Sequence, residues 1–221
     1  MLDIEKNAFN ILNSIPPNVE LVLVTKTISL ENILKVLNCG IKNIGENKVQ
    51  EALIKYDVLK NHNIKFHLIG HLQKNKVNKA VRIFDLIQSV DSLEIASLIN
   101  DKAKEINKVQ DILIQINISE EETKSGFLNN DNLLDDLFKI SKMKNINVKG
   151  LMTIAKNTQD ENILRNNFSS LRNIKENINN KNIFSNQLEI LSMGMSNDYK
   201  IAIEEGSNMI RLGRAIFGER L

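Results

Sequence analysis

Lys26 follows directly on the apolar run Leu21-Val22-Leu23-Val24-Thr25, and a lysine in that place needs a partner or a task. A lysine amine withdrawn from water is pushed toward its neutral form, which is nucleophilic and condenses with an aldehyde to a Schiff base. The other reading is a buried stem whose ammonium reaches the rim. Ser192-Met193-Gly194-Met195-Ser196 offers hydroxyls and unobstructed backbone N–H groups just ahead of a helix start at Asn197-Asp198, a pattern that can bind phosphate. Gly213, in Arg211-Leu212-Gly213-Arg214-Ala215, could supply the other half of that cradle. Taken singly, each loop also reads as an ordinary glycine turn. Two roles fit Arg211: pairing with a carboxylate, or donating to the ring nitrogen of a bound cofactor. In the second role the arginine keeps its proton, so the ring nitrogen stays unprotonated and the ring is a weak electron sink.

Other polar residues carry less. His67 and His71 are four apart, but no glutamate accompanies them as in a zinc helix, and we expect no metal site. Lys74, Lys76, Lys79 and Arg82 lie close together and read as a solvated helix face. The single cysteine, Cys39, cannot form an internal disulfide and reads as a small buried apolar residue at a helix end.

The elements that would position Lys26, Arg211 and the glycine loops alternate along the chain. Short apolar, β-branched runs fall at 21–26, 41–47, 65–70, 86–91, 111–118, 148–155, 187–194 and 209–218, with amphipathic stretches between them. Several runs are apolar at consecutive positions, as parallel strands covered on both sides must be. Eight such runs in 221 residues, with no G-x-G-x-x-G after the first, favour a closed (β/α)₈ barrel over an open doubly wound sheet. In a barrel of this kind the C-terminal ends of the strands build the active face. Lys26, Glu46-Asn47, Ser192-Met193-Gly194, Arg211 and Gly213 lie at or near those ends. Ser29 can cap the helix after the first strand and Gly40 can end it. A helix over residues 2–14, stopped by Pro16-Pro17, precedes the first strand and packs on the barrel.

The composition agrees with a globular domain: 42% apolar and 25% charged residues, with 29 basic and 27 acidic side chains intermixed to a net charge of +2. No broad basic field exists to hold a nucleic-acid backbone, and a small anionic ligand fits better. No run approaches a membrane span and the N-terminus lacks the pattern of a signal peptide, so the cytoplasm is the expected location. No linker or composition break divides residues 1–221, which we read as one domain.

Together these segments resemble the family of pyridoxal phosphate homeostasis proteins, barrels similar to the N-terminal domain of alanine racemase. The likeness runs in order through VTKT (24–27), IGEN-KVQE (44–51), FHLIGHLQKNK (66–76), SVDS (89–92), GLMTI (150–154), SMGMSND (192–198) and IRLGRAIFGER (210–220). It implies a fold-type III barrel in which pyridoxal 5′-phosphate (PLP) forms a Schiff base with Lys26. It also implies Asn47 beside the ring and Arg211 at the pyridine nitrogen, with Ser192, Met193, Gly194 and Gly213 around the phosphate. His67, Met152 and Arg214 join that expected set. Lys48 stands where the family usually has an aromatic residue, and Arg214 where it has a small hydroxyl residue.

Two activities are open to such a barrel. One is a non-catalytic carrier and regulator of PLP in vitamin B6 balance, a monomer whose partners are PLP and apoenzymes that need it. The other is a PLP-dependent amino-acid racemase. Racemization needs bases on both faces of the substrate carbon; racemases of this type continue into a further β-rich domain, and neither Tyr56 nor Tyr199 is obviously placed as a second base. The carrier is the expectation.

Overall fold

The computed structural model describes residues 3–119, 121 and 125–219. Leu2, at the edge of the expected first helix, and Arg220, at the end of the last motif, lie outside the described residues. Eight parallel strands, β1 (Glu20–Val24), β2 (Asn43–Glu46), β3 (Lys65–Leu68), β4 (Leu86–Val90), β5 (Gln110–Gln115), β6 (Ile146–Met152), β7 (Ile190–Ser192) and β8 (Met209–Leu212), pair in chain order. β8 returns to β1 through Leu21↔Ile210 and Leu23↔Leu212, which closes the barrel and leaves these strands without a free edge.

Parallel neighbours need a crossover, and each strand is followed by a helix: α2 (Leu30–Leu37), α3 (Val49–Leu59), α4 (Val77–Ile83), α5 (Leu93–Glu105), α6 (Leu133–Ser141), α7 (Glu161–Asn180), α8 (Tyr199–Glu204) and α9 (Arg214–Phe217). Local chemistry sets their limits. The Ser29 side chain accepts from Asn32 N at the start of α2, and Gly40 takes up a left-handed φ of 98° just after its end. The extra helix α1 (Ile4–Ser14) stops before Pro16 and packs on α2 and α9, where Asn7 Nδ2 donates to Ile216 O at 3.1 Å.

The consecutive apolar residues of the strands divide between two layers. One, between sheet and helices, includes Leu21, Leu23, Ile44, Phe66 and Leu68; the other, inside the barrel, comprises Val22, Leu86, Leu113, Met152 and Met209. A strand's side chains alternate with a period of two, so Val22, Val24 and then Lys26 follow the inner side.

Three expectations need correction. The run 209–218 is a strand only to Leu212; beyond Gly213 the chain turns into α9, a helix of four residues, too short to show helical periodicity. The seventh run shrinks to Ile190–Ser192. Cys39 is half-buried rather than buried, and burial, with Glu5 and Asp3 adding to it, pushes its thiol pKa up. Lys74, Lys79 and Arg82 are exposed as expected. Among the described residues no helix is long and apolar enough to cross a membrane.

Gly150 is where two strands come closest. It pairs with Ile190, and a Cβ there would lie 2.0 Å from Ile190 O. A carbonyl oxygen in a ladder cannot swing aside as a side chain does, so Gly150→Ala must part β6 from β7. The expected loss is about 1–3 kcal/mol, seen as a lower urea midpoint at unchanged slope. An unchanged midpoint would mean that the strand pair yields without cost.

Candidate active site

At the C-terminal ends of β1, β6, β7 and β8 the barrel opens into a cavity of about 460 Å³. Lys26 and Val24 form one wall, Arg211 lies at its base, and Gly213 and Arg214 follow from the end of β8; Ile154–Thr158 and Met195–Asp198 complete the lining. A second cavity of about 250 Å³ opens between the ends of β2, β3 and β5, lined by Asn47, His71, Gln115, Asn117 and Ser125 among others. Ile154 borders both.

Arg211 is held by neutral acceptors. Its Nη1 donates to Ser192 Oγ at 2.7 Å and its Nη2 to Thr153 O at 2.7 Å. Ser192 Oγ in turn donates to Gln88 Oε1 at 2.6 Å, and Gln88 Nε2 meets His67 Nδ1 at 2.9 Å. This chain of hydrogen bonds crosses the barrel interior from β8 through β7 and β4 to β3. Full burial pulls the guanidinium down to about 10, with Asp198 acting the other way, so it remains a cation at neutral pH. Burial pulls His67 down to about 3, with Lys65 adding to the effect. His67 is therefore neutral and takes the Gln88 amide N–H on Nδ1.

Asp198 lines the larger cavity. Burial raises its pKa, while the Met195 N–H, which donates to Oδ1, and Arg211 restrain it. Arg211 forms no direct ion pair among the described residues; its interaction with the Asp198 carboxylate acts through the field alone.

Of the residues expected at the site, Lys26, Arg211, Gly213 and Arg214 are brought together in the larger cavity, and Asn47 borders the smaller. Gly70 explains how Asn47 is held: a Cβ on it would stand 2.4 Å from Asn47 O, so only glycine allows the end of β3 to lie against this peptide. The Ser192 hydroxyl is used within the barrel to orient Arg211. Met193 points into the layer behind the sheet, and Gly194 (φ 95°) lets the chain turn where a Cβ would meet Ala202 Cβ at 2.7 Å. His67 and Met152 lie in the interior and line neither cavity, Met152 packing with Val22, Leu113 and Met209.

Sequence reasoning passed over several neighbours. Lys156, Asn157 and Thr158 reach the cavity from the loop after β6, where no periodicity marks them. Gln88, a polar residue in the middle of Leu86-Ile87-Gln88-Ser89-Val90, could have been noticed. Lys55 is 6% exposed and donates from Nζ to Thr25 O at 2.6 Å, Glu46 Oε1 at 2.6 Å and Glu51 Oε1 at 2.8 Å. Burial raises the Glu46 pKa, against Lys55 and Thr25, which stabilise the anion.

The sequence pattern of the alanine racemase N-terminal domain matches residues 2–221. The pyridoxal phosphate homeostasis protein of Synechocystis is 41% identical over 212 residues, 96% of either chain. That of Aquifex aeolicus is 41% identical over 197 residues, 89% of this chain and 85% of its own. PipY of Synechococcus elongatus, solved with PLP bound, superposes with a TM-score of 0.90 at 30% identity, covering 98% of this chain and all of that one. Alanine racemase of Clostridium difficile shares the fold, with a TM-score of 0.84 at 15% identity, 99% of this chain matching 57% of the enzyme. The chain therefore belongs to the family of pyridoxal phosphate homeostasis proteins, built on the barrel of the alanine racemase N-terminal domain.

Proposed function

We propose that this chain binds PLP through Lys26 and serves as a carrier and regulator of that cofactor, without sustained catalysis. The observation that carries the reading is the meeting of Lys26 with Arg211, Gly213 and Arg214 around one cavity of about 460 Å³. The residues fit the group. Lys26 supplies an amine at one wall, and Arg214 and the unobstructed backbone at Gly213 supply positive charge and close approach for a phosphate. Arg211, a cation bound only to neutral acceptors, is suited to a ring nitrogen that carries no proton. Asn47, from the adjoining cavity, borders the ring. When bound, PLP supplies an aldehyde that condenses with an amine.

The proposed carrier role agrees with PipY having been solved with PLP. The tyrosines favour it over racemization. Tyr56 packs edge-on against Phe66, with ring centroids 5.1 Å apart, and Tyr199 packs against the core behind the sheet. Neither lines a mouth cavity, so neither is placed as a second base. Apoenzymes that need PLP are the partners this reading implies, and the working unit is a monomer.

Titrating the purified full chain with PLP should produce a saturable visible band, and borohydride should then fix the added mass to the peptide that contains Lys26. Lys156 lines the same cavity, so mass on Lys156 rather than Lys26 would overturn the assignment of the attachment point. Racemization of alanine over many turnovers would overturn the carrier role.

A further inference from the structure

The peptides on either side of Lys26 are held by groups that never reach the cavity. Thr25 N donates to Gly45 O at 3.0 Å, and Thr25 O accepts from Ile28 N at 3.0 Å and from Lys55 Nζ at 2.6 Å. Thr25 Oγ1 donates to Glu46 Oε1, the same oxygen that accepts a hydrogen bond from Lys55 Nζ. On the far side, Thr27 N donates to Glu51 Oε1, which also accepts from Lys55. Lys55 thus spends all three ammonium protons on two carboxylates and one carbonyl. All three acceptors lie on, or are bonded to, the residues that flank Lys26.

Thr27 has a φ of 62°, a left-handed conformation that costs a β-branched residue free energy and persists only where its surroundings impose it. The bond from Thr27 N to Glu51 is one such constraint. A buried ion pair is weak evidence for stability, since its desolvation offsets its attraction; retaining Glu46 and Lys55 here is better explained by the geometry they impose. The alternative, that this cluster merely ties α3 to the sheet, does not account for the convergence of its bonds on residues 25 and 27.

We propose that Lys55 is a positioning residue for Lys26: clamped between Glu46 and Glu51, its ammonium fixes the Thr25 carbonyl and so the direction in which Lys26 enters the barrel mouth. The inference rests on Lys26 being the point of attachment. The test uses PLP-loaded full chain in three variants. Lys55→Met strands a buried carboxyl and can fail to fold, so Lys55→Met/Glu46→Gln removes both charges together. Glu51→Gln changes a partly exposed helix position and leaves the Glu46–Lys55 pair intact.

For every variant that keeps the far-UV circular dichroism of the parent, PLP should dissociate faster. The expected increase is about tenfold for loss of Lys55, equivalent to one charged hydrogen bond, and smaller for Glu51→Gln. The visible circular dichroism per bound PLP should fall, because it reports the fixed angle of the chromophore, which a purely structural role would leave alone. Parental release rates and visible spectra in the folded variants overturn the inference. If borohydride fixes no PLP to Lys26 in the parent, the attachment reading fails instead, a distinct result.

Discussion

Arg211→Met should be at least as stable as the parent chain while binding PLP about 10–100-fold more weakly, the loss of a charge-assisted hydrogen bond. The two effects have opposite signs because the guanidinium is a cost to folding. Burial pulls its pKa down from the ordinary arginine range to about 10, and at about 1.4 kcal/mol for each factor of ten, keeping the charge dry costs the fold on the order of a few kcal/mol. Against this stand its bonds to Ser192 Oγ and Thr153 O, each worth about 1 kcal/mol net. Ser192 keeps Gln88 as its acceptor, so the substitution orphans only the Thr153 carbonyl. Methionine fills the stem's volume without a charge to desolvate. Urea unfolding of the apoprotein and a spectrophotometric PLP titration measure the two quantities separately. A variant that loses more than about 2 kcal/mol yet binds PLP like the parent would show that Arg211 serves the fold and not the cofactor.

A residue that weakens the fold and strengthens a site is the kind of local inconsistency that marks function, and it bears on what the sequence discloses. Lys26 stood out because a charge after Leu21-Val22-Leu23-Val24-Thr25 breaks the pattern of a covered strand, though a buried stem with its ammonium at the rim explains it equally and only the family resemblance favoured the cofactor. The barrel was legible in eight recurring short runs, several of which are apolar at consecutive positions and so need cover on two faces. Lys55 was hidden by its type, because a lysine in a helix is ordinarily solvated. Its position was informative all the same. Val49, Ala52, Lys55 and Leu59 are the buried residues of α3, so Lys55 occupies the apolar stripe, four residues after Glu51. Ser192 and Met193 show the limits of a motif. Adjacent side chains of an extended chain face opposite ways, and the structure places the Ser192 hydroxyl on Arg211 and the Met193 side chain in the core, so any contact of Met193 with a ligand falls to its backbone. The loop residues Lys156, Asn157 and Thr158 carry no period at all, and only the closed topology places them beside Lys26.

The far end of the Arg211 chain leads to a second large effect: acid should unfold this protein through His67. An imidazole in the unfolded chain takes its proton near pH 6.5, whereas the folded one, buried beside Gln88, resists to about 3. Between those values the unfolded state binds more protons, so stability is complete above about pH 6.5 and declines as the pH falls toward about 3. The slope is about 1.4 kcal/mol per pH unit, which amounts to about 3 kcal/mol by pH 4.5. Glu46 and Asp198 act in the opposite sense. Burial raises both of their pKa values, so the folded state takes up their protons more readily than the unfolded chain and acid is cushioned where they titrate. The total profile therefore mixes opposed contributions, and the difference between parent and His67→Gln isolates the imidazole. Glutamine keeps a polar partner for Gln88 and has nothing to titrate. Urea midpoints measured from pH 7 to 4.5 should show the parent losing about 3 kcal/mol relative to the variant, whatever their offset at neutral pH. Parallel profiles would mean that His67 accepts a proton inside the barrel, and that the chain from Arg211 to β3 rearranges to receive it.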